Sequence, residues 1–251
     1  MSKLFLSVVI PCFDEMVNLQ KGVLYKVRDY LEEQKYDYEV IVADDGSTDG
    51  SVEFIKEFIK KNPSFRVMEN THLGKAGAVT KGVLEAAGEI ILFTDMDQAT
   101  PIEELGKLLP SFKEGYDVVI GSRSSRRKNS PWTRIVMARS MIILRSLIVG
   151  LKGISDTQCG FKAFKNGAAK KIFIKINNMH NGFRQITGSA VTAGFDVELL
   201  FIALKMGYNI KEVPVNWLYV ESRRVSPVKD SIEGLIELVR IRMNINKGMY
   251  D

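Results

Sequence analysis

Two acidic pairs stand where an α/β protein keeps its chemistry. Asp95 and Asp97 follow the apolar run Ile90-Ile91-Leu92-Phe93, and Asp44 and Asp45 follow residues 38–43 (YEVIVA). A short continuous apolar run is the pattern of a strand covered on both faces. Ligands of open α/β sheets bind just beyond the carboxyl ends of such strands. Alternation along an extended backbone points Asp95 and Asp97 the same way. Two hard, anionic oxygen ligands on one side suit Mg²⁺ or Mn²⁺, which keeps some waters and takes phosphate oxygens as its other ligands. A solvated turn after a strand has the same short pattern, so the pair alone is weak evidence. A third segment adds to it: Gly74-Lys75-Ala76-Gly77-Ala78 puts glycines and a mobile cation at a helix start. There the backbone can approach phosphate and the helix terminus favours negative charge.

The elements that must position these residues are legible in order. Residues 4–10 form a buried strand, which Pro11 is expected to end because proline cannot donate to a ladder. A turn at Phe13 and Glu15 leads to a helical pattern up to about Glu33, with apolar Leu19, Val23, Leu24, Val27 and Leu31. After the second strand, Ser47 or Asp49 can cap a helix over 52–60. A short strand at 65–68, a helix over 76–87 and the strand before Asp95 complete three β-α units, which argue for a mainly parallel, doubly wound sheet. Residues 116–123 read as another strand with a basic end, and 197–205 as a helix. Residues 177–182 (NNMHNG) read as part of a polar loop within a long 175–192 segment.

At 251 residues the chain fits one large α/β domain or two small ones; its 45% hydrophobic and 26% charged content is that of a globular protein. A net charge of +5 points to an anionic partner. Cys12 and Cys159 lie far apart and lack zinc spacing, so small buried fillers are expected there, and a cytoplasmic setting. No signal peptide and no run near the roughly 20 apolar residues of a membrane span is found. His72 and His180 have no partner at ligand spacing and are assigned ordinary loop roles.

Taken as a set, Val9-Ile10-Pro11-x-Phe13-x-Glu15, Asp44-Asp45-Gly46-Ser47-x-Asp49, Gly74-Lys75-x-Gly77-Ala78 and Asp95-x-Asp97 resemble the family 2 glycosyltransferases of the GT-A fold. The resemblance implies one α/β domain over 1–251, with a mainly parallel, Rossmann-like sheet flanked by helices. Its nucleotide-donor half would run over about 1–123 and its acceptor and membrane-facing half over about 124–251. By position it implies Pro11, Phe13, Glu15, Asp44, Asp45, Lys75, Asp95, Met96 and Asp97 as donor-site residues. Asp95 and Asp97 would hold the metal on the donor's diphosphate. The run Asp156-Thr157-Gln158-Cys159-Gly160-Phe161-Lys162, with Phe195-Asp196-Val197-Glu198, narrows the resemblance to the polyprenyl-phosphate glycosyltransferases, the dolichyl-phosphate glucosyltransferases first and the mannose synthases next. The mannose synthases carry a glutamine two places after the second aspartate. Here that place is Ala99, and Gln98 one residue earlier is the candidate third metal ligand. The implied partners are UDP-glucose or GDP-mannose, a polyprenyl or dolichyl phosphate, and a membrane surface.

The chemistry follows from charge. A departing nucleoside diphosphate gains negative charge, which a divalent cation with Lys75 or Arg123 would stabilise. A lipid phosphate is largely dianionic at neutral pH and needs no strong base, only arginines to hold it, with Arg123, Arg134 and Arg224 as candidates. A sugar hydroxyl acceptor would need a base; Asp196 is the candidate, though a helix N-cap role fits it as well. Residues 132–151 carry a broad apolar surface with Arg134, Arg139 and Arg145, which fits an in-plane amphipathic helix on the cytoplasmic membrane face, or else a core or dimer surface. The closing helix over 230–246 reads as core or as a second membrane-facing element. No aromatic nucleic-acid platform is present, so nucleic acid is not an expected partner. The oligomeric state is open.

Overall fold

A computed structural model describes residues 4–123, 142, 144–151, 153–183, 194–218 and 227–250, with side chains of the last segment from 234. Seven strands form one sheet in the order β3-β2-β1-β4-β6-β5-β7. They are β1 (Leu6–Cys12), β2 (Tyr38–Asp44), β3 (Phe65–Glu69), β4 (Ile90–Thr94), β5 (Val118–Ser122), β6 (Phe161–Lys165) and β7 (Ile210–Pro214). All neighbours are parallel except β6, which runs antiparallel to both β4 and β5.

Period-two alternation divides the core between the two faces. Val8, Ile10, Ile90 and Leu92 pack under α1 (Met16–Gln20), α2 (Val23–Glu32), α3 (Ser51–Ile59) and α5 (Leu105–Lys113). Val9, Ile91 and Phe93 pack under α4 (Gly74–Glu85), α6 (Asn166–Met179), α7 (Phe195–Lys205) and α8 (Pro227–Asn246). Gly82 lets α4 lie close on the sheet: a Cβ there would come 2.5 Å from a methyl carbon of Val9.

Several expectations are corrected. Pro11 stands inside β1, paired with Ala43. β4 pairs with β1 only as far as Val9, so on that side Pro11 has no strand to donate to. Residues 161–165, not expected as a strand, form β6, and Asn177 to Met179 belong to α6 rather than to a polar loop. Of the expected 132–151 helix, 142 and 144–149 are helical within the described residues, and the helix stops at Gly150, whose φ of +84° is the left-handed conformation glycine allows. Arg145 is no surface cation: it is buried, and its guanidinium donates to Thr157 Oγ1 at 2.6 Å and to the Ser155 carbonyl at 2.8 Å. Leu147, at 74% exposure, faces outward. On α8, Leu238 and Ile241 are core, while Leu235, Ile236, Val239 and Met243 are exposed, so that helix has both kinds of surface.

His180, beyond α6, bonds the Glu198 carboxylate of α7 at 2.7 Å, and Tyr250 donates its hydroxyl to the same group at 2.6 Å. The bond from Glu198 outweighs burial and holds the His180 pKa above its ordinary value. A raised histidine pKa stabilises the fold fully below the unfolded value of about 6.5, and the contribution is lost as pH rises through the folded value. The melting temperature of His180→Gln should therefore fall below that of the parent at pH 5.5, with the gap closing at alkaline pH. A gap independent of pH would show that the histidine contributes by packing alone.

Candidate active site

The first turn and the Asp-Asp turn brace each other. Ser47 Oγ accepts the Asp14 N–H at 3.0 Å, Asp14 Oδ1 accepts the Thr48 N–H at 2.8 Å, Ser51 Oγ accepts the Glu15 N–H at 3.0 Å, and Asp49 Oδ2 accepts the Met16 N–H at 3.0 Å. Asp49 also takes the Ser51 N–H at 3.0 Å, from just outside the helix, while the N-cap of α3 is Gly50 rather than Ser47 or Asp49. Asp44 is buried, and its carboxylate turns back to the N–H groups of Gly46 and Ser47. It shapes the turn and does not line the cavity.

That cavity, of about 290 Å³, opens at the carboxyl ends of β1, β2 and β4. Pro11, Phe13, Glu15, Asp45, Lys75, Asp95, Met96 and Asp97 line it, as the sequence grouped them, together with Cys12, His72 and Gly74. His72 was not singled out for the site. Its ring stacks on Phe13 with centroids 4.2 Å apart and planes 10° from parallel. Its Nδ1 lies 2.8 Å from Asp45 Oδ2 and 3.0 Å from the Asp45 carbonyl, while Asp45 Oδ1 accepts the Leu73 N–H at 2.7 Å. The result is a flat π surface beside a buried carboxylate, suited to a planar heterocycle. His72 and Asp45 are 27 residues apart, so no local pattern could reveal the pair. Burial pushes the Cys12 thiol up to about 12, with Asp44 adding to it, which makes Cys12 an inert wall.

At the other end, Lys75 Nζ sits 2.5 Å from Asp95 Oδ1. Burial opposes the Lys75 charge, but Asp95, Asp196 and Asp97 outweigh it and raise its pKa. Asp97 is held above the ordinary carboxylate range, first by burial and then by Asp95, with Lys75 and the Ala99 N–H opposing. A crowded carboxylate pair that already attracts an ammonium is a fit for a divalent cation. Among the described residues no third carboxylate, histidine or cysteine joins the two, so solvent and phosphate oxygens would complete the shell, as Mg²⁺ and Mn²⁺ accept. Gln98 does not line the cavity; its amide N–H₂ faces Thr94 Oγ1 at 3.3 Å and the Asp95 carbonyl at 2.9 Å. Gly74, with φ +79°, needs its glycine for that backbone. Gly77 instead packs: a Cβ there would lie 2.5 Å from Leu73 Cβ, so its glycine serves the helix and not a phosphate.

The loop 155–160 backs this end. Asp156 receives the Arg123 fork at 2.8 Å through both Nε and Nη2, and the Arg123 N–H at 2.9 Å. Burial opposes the Asp156 charge, but Arg123 holds its carboxyl below the ordinary range. Glu212 of β7 accepts the N–H groups of Ser155 and Asp156 at 3.0 and 2.7 Å. The loop ends at Gly160, against the Asp95 carboxylate. Arg123, expected at the acceptor, is thus a bracket for this loop, with Trp217 over its guanidinium at 5.9 Å. Asp196 lies in the first turn of α7, whose N-cap is Gly194, and pairs with Lys162 at 2.5 Å; the N-cap role is corrected. Arg134 and Arg224 lie outside the described residues.

Known proteins are similar to this chain in sequence and in fold. The chain is 32% identical to a dolichyl-phosphate β-glucosyltransferase of Dictyostelium discoideum, over 98% of this chain and 76% of that protein. It is 31% identical to the human dolichyl-phosphate β-glucosyltransferase, over 98% and 77%. Among solved structures, mannosyl-3-phosphoglycerate synthase from Rubrobacter xylanophilus superposes with a TM-score of 0.65 at 17% identity, covering 98% of this chain and 75% of that one. Glucosyl-3-phosphoglycerate synthase from Mycobacterium tuberculosis does so with 0.60 at 18%, covering 95% and 80%. These two show the fold. With the glycosyl transferase family 2 pattern matching residues 7–173 as well, the chain belongs to glycosyl transferase family 2 and is a glycosyltransferase.

Proposed function

We propose that this enzyme moves glucose from UDP-glucose to dolichyl or another polyprenyl phosphate, with inversion, as a peripheral protein on the cytoplasmic face of a membrane. The observation that carries the reading is the single cavity in which Asp95, Asp97 and Lys75 meet the Phe13–His72 face. The names of the relatives support the sugar and the lipid acceptor. The M. tuberculosis synthase was solved with Mn²⁺ and UDP, which supports a divalent cation and a uridine donor. The Phe13–His72 face takes the base, and the buried Asp45 carboxylate accepts from it. Asp95 and Asp97 hold Mg²⁺ or Mn²⁺, whose charge when bound stabilises the leaving diphosphate. Lys75 sits where it adds a second positive charge. Arg134 and Arg224 are the arginines assigned to the acceptor phosphate. No described helix is long and apolar enough to cross a membrane. The exposed Leu147 and the α8 stripe of Leu235, Ile236, Val239 and Met243 supply the membrane face.

The test is a panel of UDP- and GDP-sugars, with and without short polyprenyl phosphate in lipid vesicles. Metal-dependent glucosyl transfer from UDP-glucose is expected. Leu147→Asp should lower the vesicle partition constant by about tenfold, since an inserted leucine contributes roughly 1.5 kcal/mol or more, and should leave hydrolysis of soluble donor in place. Transfer only to a glycan hydroxyl would overturn the acceptor, transfer only from GDP-mannose the donor, and unchanged vesicle binding the role of Leu147.

A further inference from the structure

Lys162 is fully buried in the middle of the sheet, paired in register with Phe93 of β4 and Ile120 of β5. A lysine there must be neutralised and hydrogen-bonded, and this one is. Its Nζ donates to the Cys159 carbonyl at 2.6 Å and to Asp196 Oδ1 at 2.5 Å, and lies 5.3 Å from the centre of the Phe93 ring. Asp196 is held equally firmly. It stands in the first turn of α7, where the helix dipole favours an anion. Its charge is also among those that raise the pKa of Lys75 and, behind Asp156, of Arg123, each against burial. One cation, Lys162, bonds this carboxylate, and two others, Lys75 and Arg123, feel its charge.

We infer that Lys162 fixes Asp196 as a structural counter-ion, so that Asp196 is not the general base of transfer. Accepting a proton on Asp196 would strand the Lys162 ammonium without its counter-charge inside the sheet. The acceptor must then bring its own negative charge. A phosphate monoester does: one of its oxygens forms the bond to the sugar C1 while the C1–oxygen bond to the diphosphate breaks. The nucleoside diphosphate leaves with that electron pair, and no proton changes hands. A sugar hydroxyl would have to lose a proton that Asp196 is not placed to take. The inference deepens the proposed function by giving a physical reason for its acceptor class.

The test uses Lys162→Met, Asp196→Asn and the double variant, with polyprenyl phosphate and, separately, a polyprenyl phosphonate of higher second pKa. Each single change leaves a polar partner unmatched, fully buried in Lys162 and part-buried in Asp196, and should lower the melting temperature; the double variant should recover most of the loss. Its kcat with polyprenyl phosphate should stay within about tenfold of the parent, where loss of a general base costs about 10²–10⁴. The acid limb of kcat/KM should lie near pH 6, where a phosphate monoester takes its second charge, and should move upward with the phosphonate in parent and double variant alike. A folded double variant slowed a thousandfold, or a parent limb that ignores the acceptor, would make Asp196 the base and overturn the inference while polyprenyl phosphate remained the acceptor. A parent that glycosylates a hydroxyl and never polyprenyl phosphate would overturn the acceptor reading itself.

Discussion

Asp97→Ala should lower kcat for transfer by about a hundred- to a thousandfold and leave the protein folded. Losing one charge-stabilising group where charge develops costs about 10²–10³, and Asp97 is half of the carboxylate pair that follows β4 and lines the cavity. The stability side has the opposite sign. Burial and the neighbouring Asp95 hold the Asp97 pKa above its ordinary value, so its ionised form is unfavourable in the fold at neutral pH. The Ala99 N–H bond to Oδ1, at 3.0 Å, offsets part of that. The variant should therefore melt at the parent's temperature or above it, the pattern of a group kept for function at the expense of stability. Donor affinity, measured by calorimetry with Mn²⁺ present, should collapse, and excess chelator should bring the parent to the same state. Full transfer by the variant, or by the parent in chelator, would remove the metal role from this pair.

The strands that position this site were legible because their signals are local. Val40, Ile41 and Val42, and Ile90 to Phe93, are continuous apolar runs that end in carboxylates, and the structure ends β2 and β4 there. β6 was missed for a physical reason: Lys162 stands in the middle of Phe161–Lys165, and a lysine in a short run argues against a buried strand. Its partner Asp196, from a distant helix, and the Cys159 carbonyl make burial tolerable. The end of α6 was read as loop for a related reason, since Asn177 and Asn178 favour turns on intrinsic grounds but continue a helix already anchored by Ile172, Phe173 and Ile176. Of the site, the carboxylates and Lys75 were legible as motifs. His72 was not, because its meaning lies in Phe13 and Asp45. The partner of Arg123 was hidden for the same reason: a basic residue at a strand end shows nothing of Asp156, 33 residues away, which the structure pairs with it.

Gly160 carried one signal that could have been used, a glycine directly before an apolar run, where a close backbone approach is common. The structure shows what approaches. A Cβ on Gly160 would lie 2.0 Å from Asp95 Oδ2, 2.6 Å from its Cγ and 2.9 Å from its Oδ1. No carbon tolerates those distances, and the aspartate side chain is too short to yield without rotating its whole carboxylate. Rotation breaks the 2.5 Å pair with Lys75 and separates the oxygens of Asp95 from those of Asp97. The 155–160 loop cannot recede instead, because Arg123, Arg145 and Glu212 all hold it. Gly160→Ala should thus act on Asp95 with little effect elsewhere. A fall in kcat/KM of at least a hundredfold is expected, as for loss of an aligned charged group, together with weakened Mn²⁺-dependent donor binding and a melting temperature within a few degrees of the parent. Gly167→Ala is the matched control, since a Cβ there meets nothing within 4 Å and the helix that contains it gains a better former. It should transfer glucose at the parental rate. If Gly160→Ala did the same, Asp95 would have to be free to leave the position that Gly160 gives it, and the carboxylate pair could not be the fixed element on which donor binding depends.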